Sequence, residues 1–422
     1  MDLLVAGAGT AGAALAGSAA ARGLTVLCVD RGPLDAAGAS WVNGITREAF
    51  QEAGVPAPEG AELRGAGGDF HMLAGWGPER IVVGDSGLLE VDMRRLVARL
   101  QDRAREAGAT LSGGVTVEGL DGGAVHTSAG VVRADVIADA SGVAGLNLLG
   151  APPIPRRDLC AAAQAVHAVA DPSGARAFLS EHGAREGDTL CFAGLAGGYS
   201  ILNVSVHGDE VSLLTGTIPA DGHQSGRALL EGFAAERGWI GARVFGGHRA
   251  IPLGRPRDTL ARGRVVALGD AARQVFSAHG SGIGPGMVAA RTLADALADG
   301  GRVEDYAVGW MRRHGGLFAA YDVFRRFSQS LSPMQLTRLM RSGLMDAEAT
   351  AAGMRQRLPT ASVGRLVGMP AALRRAGGVS GPLAAAGARM AGLLALYARY
   401  PRAASSRARW SAAVTALHGG AG

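Results

Sequence analysis

Three glycines and one acid near the N-terminus carry the first chemistry. Gly7, Gly9 and Gly12 stand in Val5-Ala6-Gly7-Ala8-Gly9-Thr10-Ala11-Gly12, and Asp30 follows about 20 residues on, the spacing of a dinucleotide fingerprint. In such a turn the first glycine permits the tight reversal and the second lets backbone approach a pyrophosphate. The third lets helix and strand pack closely, and the helix N-terminus faces the negative charge. The acid then accepts hydrogen bonds from ribose hydroxyls. The flanks suit these roles. Leu3-Leu4-Val5-Ala6 reads as a buried strand, an alanine-rich helix runs to about Arg22 before Gly23, and Leu24 to Val29 is a second strand ending at Asp30.

A second set of glycines lies far downstream. Gly269-Asp270-Ala271-Ala272 is followed by Gly280-Ser281-Gly282-Ile283-Gly284, and Asp139-Ala140-Ser141-Gly142 sits between the two sets. The pair of fingerprints points to FAD, held at both ends by one discontinuous domain. Asp139 and Gly142 read as a structural turn beneath it.

The elements that position these residues give an α/β fold. A Rossmann-like FAD-binding domain takes residues 1–65, 86–155 and 251–300. Residues 66–85 and 156–250 form an antiparallel β-sheet substrate domain, and 301–422 a helical C-terminal region. Asp92 is a good N-cap for a helix carrying Met93, Leu96, Val97 and Leu100 on one face. Ile201 to Val206 and Val211 to Leu214 alternate as sheet strands. Proline-rich Ala151 to Pro155 marks the crossing between domains, and Ile251-Pro252-Leu253 the return.

Composition excludes several classes. The 422 residues suffice for two or three domains with a large core. Cys28, Cys160 and Cys191 are scattered, without disulfide or metal spacing. Residues Leu3 to Ala21 carry no charge, but Asp2 replaces a basic leader and the glycines hold fingerprint positions, so the expected location is cytoplasmic. No lysine is present, and all 42 basic residues are Arg. From Tyr321 onward 14 Arg face three acids. That basic third suits an anionic membrane surface, an acidic partner or simply solvated helix faces. Leu393, Leu394, Leu396 and Tyr397, with Arg389, Arg399 and Arg402 alongside, form either a peripheral membrane contact or a packed helix. Without aromatic–basic interleaving, nucleic acid is not an expected partner.

The ordered motifs resemble the FAD-dependent monooxygenase superfamily, which shares the aromatic-hydroxylase flavoprotein fold and includes geranylgeranyl reductases and flavin-dependent halogenases. Asp139-Ala140-Ser141-Gly142 and the Gly282-Ile283 step look closest to the geranylgeranyl reductase branch. The resemblance covers residues 1–300. It implies FAD contacts from Gly7, Gly9, Gly12 and Asp30, a ribityl contact from Asp270, and a helix start at Gly280, Gly282 and Ile283 facing the flavin. It also implies NAD(P)H, or a flavin or ferredoxin-type reductase, as electron donor.

Several positions depart from the family pattern. Ser277 takes the place of the proline common in hydroxylases, and Met93 that of a cofactor-reaching arginine, with Arg94 beside it as substitute. Gly198-Tyr199 keeps only the start of the reductases' lipid-pocket motif. The absence of lysine and of a Gly-Trp-x-Trp-x-Ile-Pro segment sets halogenation aside. Trp41 and Asn43, in an expected loop from Ser40 to Ile45, and His279 are the candidate catalytic residues. Tyr199, Asn203 and Phe276 are the candidate substrate contacts. The expected function is monooxygenation of a lipophilic small molecule. The alternatives are reduction of carbon–carbon double bonds in an isoprenoid or other lipid, and a non-redox flavoprotein cyclase.

Overall fold

A computed structural model describes residues 1–360 and 363–419; residues 361–362 and 420–422 of the expected C-terminal region lie outside the described residues. Two sheets and a helical wall organise the chain. The first sheet has six strands in the order Ala261–Arg262, Val265–Ala267, Val136–Asp139, Leu3–Ala6, Val26–Val29 and Thr110–Ser112. All pairs are parallel except the first. Its central strand, Leu3–Ala6, is buried throughout, which is why it reads as a continuous apolar run.

Helix Thr10–Ala20 packs against helices Met93–Glu106 and Ile283–Ala298. Small residues permit this: a methyl on Gly17 would stand 3.3 Å from the Ala104 Cα. Asp92 caps Met93–Glu106 as the sequence predicts, accepting from the Arg94 amide at 3.1 Å. The expected loop around Ser40 to Ile45 is instead mostly strand. Val42–Thr46 pairs antiparallel with Leu88–Asp92, and Val42 and Ile45, on opposite faces of the strand, are both buried.

The second sheet has seven strands. Their order is Ile240–Pro252, Leu159–Val169, Glu210–Thr217, Ser200–His207, Thr189–Ala193, Phe70–Ala74 and Arg80–Val83. One pair, Thr189–Ala193 with Phe70–Ala74, is parallel. One face buries Leu202, Val204, Leu213 and Phe192 against helices Pro172–Glu181 and Gly226–Ala235. On the other face the pairing aligns Met72, Cys191, Asn203, Leu214, Gln164 and Gly247 in one row across six strands.

The helical region is organised by Gly316–Gln329. Helix Ser380–Ala398 packs on it closely enough that a methyl on Gly315 would lie 2.7 Å from the Tyr397 ring. Leu393 and Tyr397 are therefore buried, as a packed helix requires, while the face carrying Arg389 and Arg399 is exposed. A buried charge network fixes this region to the sheet. Asp322 is 0% exposed and meets Arg325 at 2.7 Å, Arg326 at 2.9 Å and His418 at 2.7 Å. Arg325 also reaches the buried Asp158, just before strand Leu159–Val169, at 3.0 Å.

Burial opposes ionisation of Asp322, but the two guanidinium groups and His418 outweigh it and hold the carboxyl far below its ordinary range. The stabilisation is complete above the unfolded carboxyl value of about 4 and is lost as pH falls below it. Asp322→Ala leaves buried Arg325 sharing Asp158 with Arg326 and should cost about 3–5 kcal/mol by urea unfolding at pH 7. The difference from wild type should narrow toward pH 3; a variant within 1 kcal/mol of wild type (roughly the value of an exposed pair) would show that the network carries no such weight.

Candidate active site

One cavity of about 920 Å³ runs between the sheets and the helical wall. Gly7, Gly9, Thr10 and Asp30 line one end. Gly7 has φ +107°, and a methyl there would sit 2.4 Å from the Ala140 carbonyl oxygen. A methyl on Gly12 would sit 1.8 Å from the Gly7 carbonyl oxygen. Gly12 itself lies behind the turn, packing helix to strand. Asp30 accepts from the amides of Ala8 at 2.8 Å and Gly32 at 2.9 Å, so it shapes the turn as well as facing the cavity. Asp139 is buried and accepts from the Ser141 and Leu148 amides, holding the loop from Ala140 to Leu146 against the cavity.

The second fingerprint meets the same cavity. Asp270, Gly280, Ser281, Gly282, Ile283 and Gly284 line it. Helices Thr10–Ala20 and Ile283–Ala298 both start here, and neither has a side-chain cap. Their first amides are thus free for an anionic or carbonyl ligand. A glycine cradle, a ribose-facing acid and two uncapped helix starts on one cavity fit FAD. Enclosure pushes the Asp270 carboxyl up to about 6, with Arg249 opposing the shift. Ser277, at the family's proline position, is fully buried and exchanges hydrogen bonds of 2.9 Å with the Gly254 amide and carbonyl. It ties the turn to the domain crossing.

Of the expected catalytic and substrate residues, Trp41, Asn43, His279, Tyr199 and Asn203 all line the cavity. His279 is open to the cavity yet crowded by protein, which pushes its imidazole down to about 4. It is neutral at pH 7. Burial raises the Tyr199 phenol, which keeps its proton throughout the usual range. Two expectations need correction. Arg94 does not line the cavity: Asp92 holds its guanidinium at 2.6 Å, and it stacks 3.7 Å above the Phe245 ring. Phe276 is a core residue with no exposure, packed on Phe318, Tyr321 and His279.

Sequence reading missed two groups. Arg249, on strand Ile240–Pro252, lines the cavity. Its position beyond the bend in Ile240–Pro252 has no local signature. The far end of the cavity is walled by Leu336, Leu339, Met345, Met354, Leu383 and Met390, all from beyond residue 330, Met345 from the turn between two helices and the others from helices. No short motif marks them, since apolar helix faces look alike whether they line a core or a chamber. Asp69, His71 and Asp188 also gather within 4.8 Å of one another, but Arg185 lies 3.7 and 3.9 Å from the two carboxylates and supplies positive charge there.

This architecture has close structural relatives. A geranylgeranyl bacteriochlorophyll reductase-like protein from Thermoplasma acidophilum superposes with a TM-score of 0.71 over 91% of this chain and 98% of that one, at 17% identity. The fold is that of the flavin-dependent monooxygenases and geranylgeranyl reductases. The halogenase PltM, solved with phloroglucinol and FAD, has a TM-score of 0.63 at 15% identity and covers 99% of this chain and 95% of its own. The Diels-Alderase PyrE3 has a TM-score of 0.60 at 19% identity, over 85% of this chain and 82% of its own. Among curated proteins, a digeranylgeranylglycerophospholipid reductase of Sulfolobus acidocaldarius is 25% identical over 201 residues. That match spans 44% of this chain and 43% of the relative, less than half its length. No family model matches the chain.

Two outcomes check the cofactor end. Gly12→Ala forces a methyl into the Gly7 carbonyl, and the purified protein should lose its flavin absorbance near ~450 nm, because no backbone approach to the pyrophosphate remains. Asp270→Asn removes a carboxyl whose raised folded value lowers stability as pH rises from about 4 to about 6. The cofactor-free variant should therefore be more stable than wild type at pH 7 by about 1–3 kcal/mol, the upper figure discounted for water in the cavity. It should also hold FAD roughly tenfold more weakly, the loss of one hydrogen bond to a charged group. Unchanged stability across pH 4–8 (the window of those two values) would place the carboxyl in contact with solvent.

Proposed function

We propose that the chain is an FAD-dependent oxidoreductase acting on a lipophilic small molecule, and that its reaction is reduction of a carbon–carbon double bond. The observation that carries this reading is the single cavity, which joins the glycine cradle to a chamber walled by Leu and Met side chains. The charged groups on the cavity, Asp30, Arg31, Arg249 and Asp270, come from the two nucleotide-domain fingerprints and from strand Ile240–Pro252. Among the described residues, the helical wall adds none. Such a chamber suits an apolar chain rather than a polar metabolite. The reductase-like structural neighbour and the curated reductase support alkene reduction over oxygenation, as does Ser277 in place of proline.

Bound FAD, reduced by NAD(P)H or by a separate reductase, would supply the hydride. This chain's residues have the remaining tasks. The uncapped starts of Thr10–Ala20 and Ile283–Ala298 would stabilise negative charge on that cofactor. The Leu and Met wall excludes water, and Trp41 and Asn43 border the reacting region. Hydride addition to one alkene carbon needs a proton on the other. Tyr199, whose hydroxyl faces Gly280, is the candidate donor, with Asn203 on the same sheet face. His279 is neutral and serves as a hydrogen-bonding group rather than a charged acid.

Peripheral contact with an anionic membrane belongs to the same proposal. Val367–Ala398 is apolar, 17% of its most apolar stretch is buried, and Arg389 and Arg399 flank the exposed face. Arg389→Glu with Arg399→Glu should release the protein from phosphatidylglycerol vesicles in co-sedimentation. Equal retention by wild type and variant would remove membrane contact from the proposal.

The reaction is tested by mass spectrometry of isoprenoid alkenes incubated with FAD-loaded protein and NADPH. An anaerobic gain of two hydrogens is the expected result. Gain of one oxygen atom, only in air, would establish the monooxygenase reading instead. Product formation without NADPH consumption would mean a cyclase. Tyr199→Phe should lower turnover by roughly 10²–10⁴, the usual weight of a positioned acid. A limb in the activity profile near pH 6 should belong to Asp270 and disappear in Asp270→Asn, because His279 stays neutral above about 4.

A further inference from the structure

A second hollow, of about 490 Å³, adjoins the main cavity. Strand Ile240–Pro252 builds most of it. Gly246 has φ +145°, and a methyl there would lie 2.2 Å from the Gln164 carbonyl oxygen. Just beyond it, between Phe245 and Arg243, the pairing with Val166 and His167 slips. This glycine bend lets the strand swing outward and makes the floor of the hollow. Ser40 closes the hollow from the nucleotide domain, its Oγ 2.8 Å from where a Gly247 methyl would stand.

The lining is cationic. Arg243, His248 and Arg249 come from the strand, and Arg227 from the first turn of helix Gly226–Ala235. Among the described residues, no carboxylate lines the hollow. Arg227 pairs with Glu231 at 2.7 Å, on the exposed side of its own helix. Arg249 donates to the Gly38 carbonyl. Among the described residues, Arg243 and His248 make no side-chain hydrogen bond or ion pair. Three guanidinium groups around one concavity repel each other unless an anion joins them, and their planar forks match phosphate oxygens.

The hollow is also connected to the chemistry. Arg249 lines both cavities and acts on the Asp270 carboxyl. Gly247, on the floor, is the last member of the row Met72, Cys191, Asn203, Leu214 and Gln164 that faces the main cavity.

We infer that this hollow binds the phosphate group of a molecule whose other end enters the main cavity past Arg249. Two sources share that chemistry: the phosphates of a nicotinamide dinucleotide donor, and a phosphate head on the lipophilic substrate. The choice between them rests on the oxidoreductase reading; the phosphate site does not.

The test is calorimetric titration of the FAD-loaded full chain with inorganic pyrophosphate, the Gly7–Gly12 turn then being filled by cofactor. Arg243→Ala and Arg227→Ala, on different elements and both at the surface, should each weaken binding on the order of tenfold or more, the weight of one charge-assisted hydrogen bond. Stopped-flow flavin reduction then gives the Kd for NADPH, and flavin absorbance changes compare geranylgeranyl diphosphate with geranylgeraniol. Loss confined to NADPH assigns the hollow to the donor. Loss confined to the diphosphate assigns it to the substrate head, and loss of both assigns a shared phosphate subsite. No pyrophosphate binding by wild type, or binding by both variants equal to that of wild type, overturns the inference. A chain that retains no flavin would defeat the oxidoreductase reading alone, because the difference between wild type and Arg243→Ala reads the hollow with or without it.

Discussion

Three distant parts of the chain meet in the buried charge network around Asp322. Asp158 belongs to the crossing into the substrate sheet, Arg325 and Arg326 to the central C-terminal helix, and His418 to the last turn of the chain. A buried carboxylate facing two arginines is strongly attractive only while every partner stays in place. The chamber wall depends on this arrangement. Leu383 and Met390 face the cavity from a helix held against Gly316–Gln329, and that helix is fixed to the sheet through Arg325 and Asp158. The polar cluster thus specifies where an otherwise slippery set of Ala- and Leu-rich helices must sit.

The cofactor end works by a different constraint, absence of side chain. Gly7 and Gly12 are required because carbonyl oxygens occupy the space a methyl would take. The same crowding brings unpaired amides to the cavity surface. Positive potential there comes from backbone, so it is fixed in position and needs no titratable group. Three titratable groups that face the cavity are poised toward neutrality: Asp270 is raised, His279 lowered and Tyr199 raised. An enclosed apolar cavity imposes this, since each charge would lose its water.

Most of the nucleotide-binding sheet and both fingerprints were legible in the sequence, because their signals are local. Strand, glycine turn, helix and terminal acid lie within 30 residues. Asp92 was equally plain as a cap. The failures were long-range. Arg94 sits next to the expected arginine position, but its rotamer is decided by Asp92 and by Phe245, about 150 residues away along the chain. Phe276 adjoins the cavity turn in sequence, yet three aromatic neighbours claim its ring. Ser40 to Ile45 was mistaken for a loop because its partner strand, Leu88–Asp92, lies far downstream. The charge network hid inside a basic segment that looked like surface. Asp322 followed by arginines at the third and fourth positions was its one local trace.

Because one continuous cavity serves both cradle and chamber, the two ligands are not independent. Either one shapes walls that the other touches, and any free energy by which the first favours the second is returned in equal measure. A lipid carried through purification would then hold the flavin in place, and a delipidated sample would shed it. The yellow colour of a preparation would report on the contents of its apolar chamber as much as on its supply of cofactor.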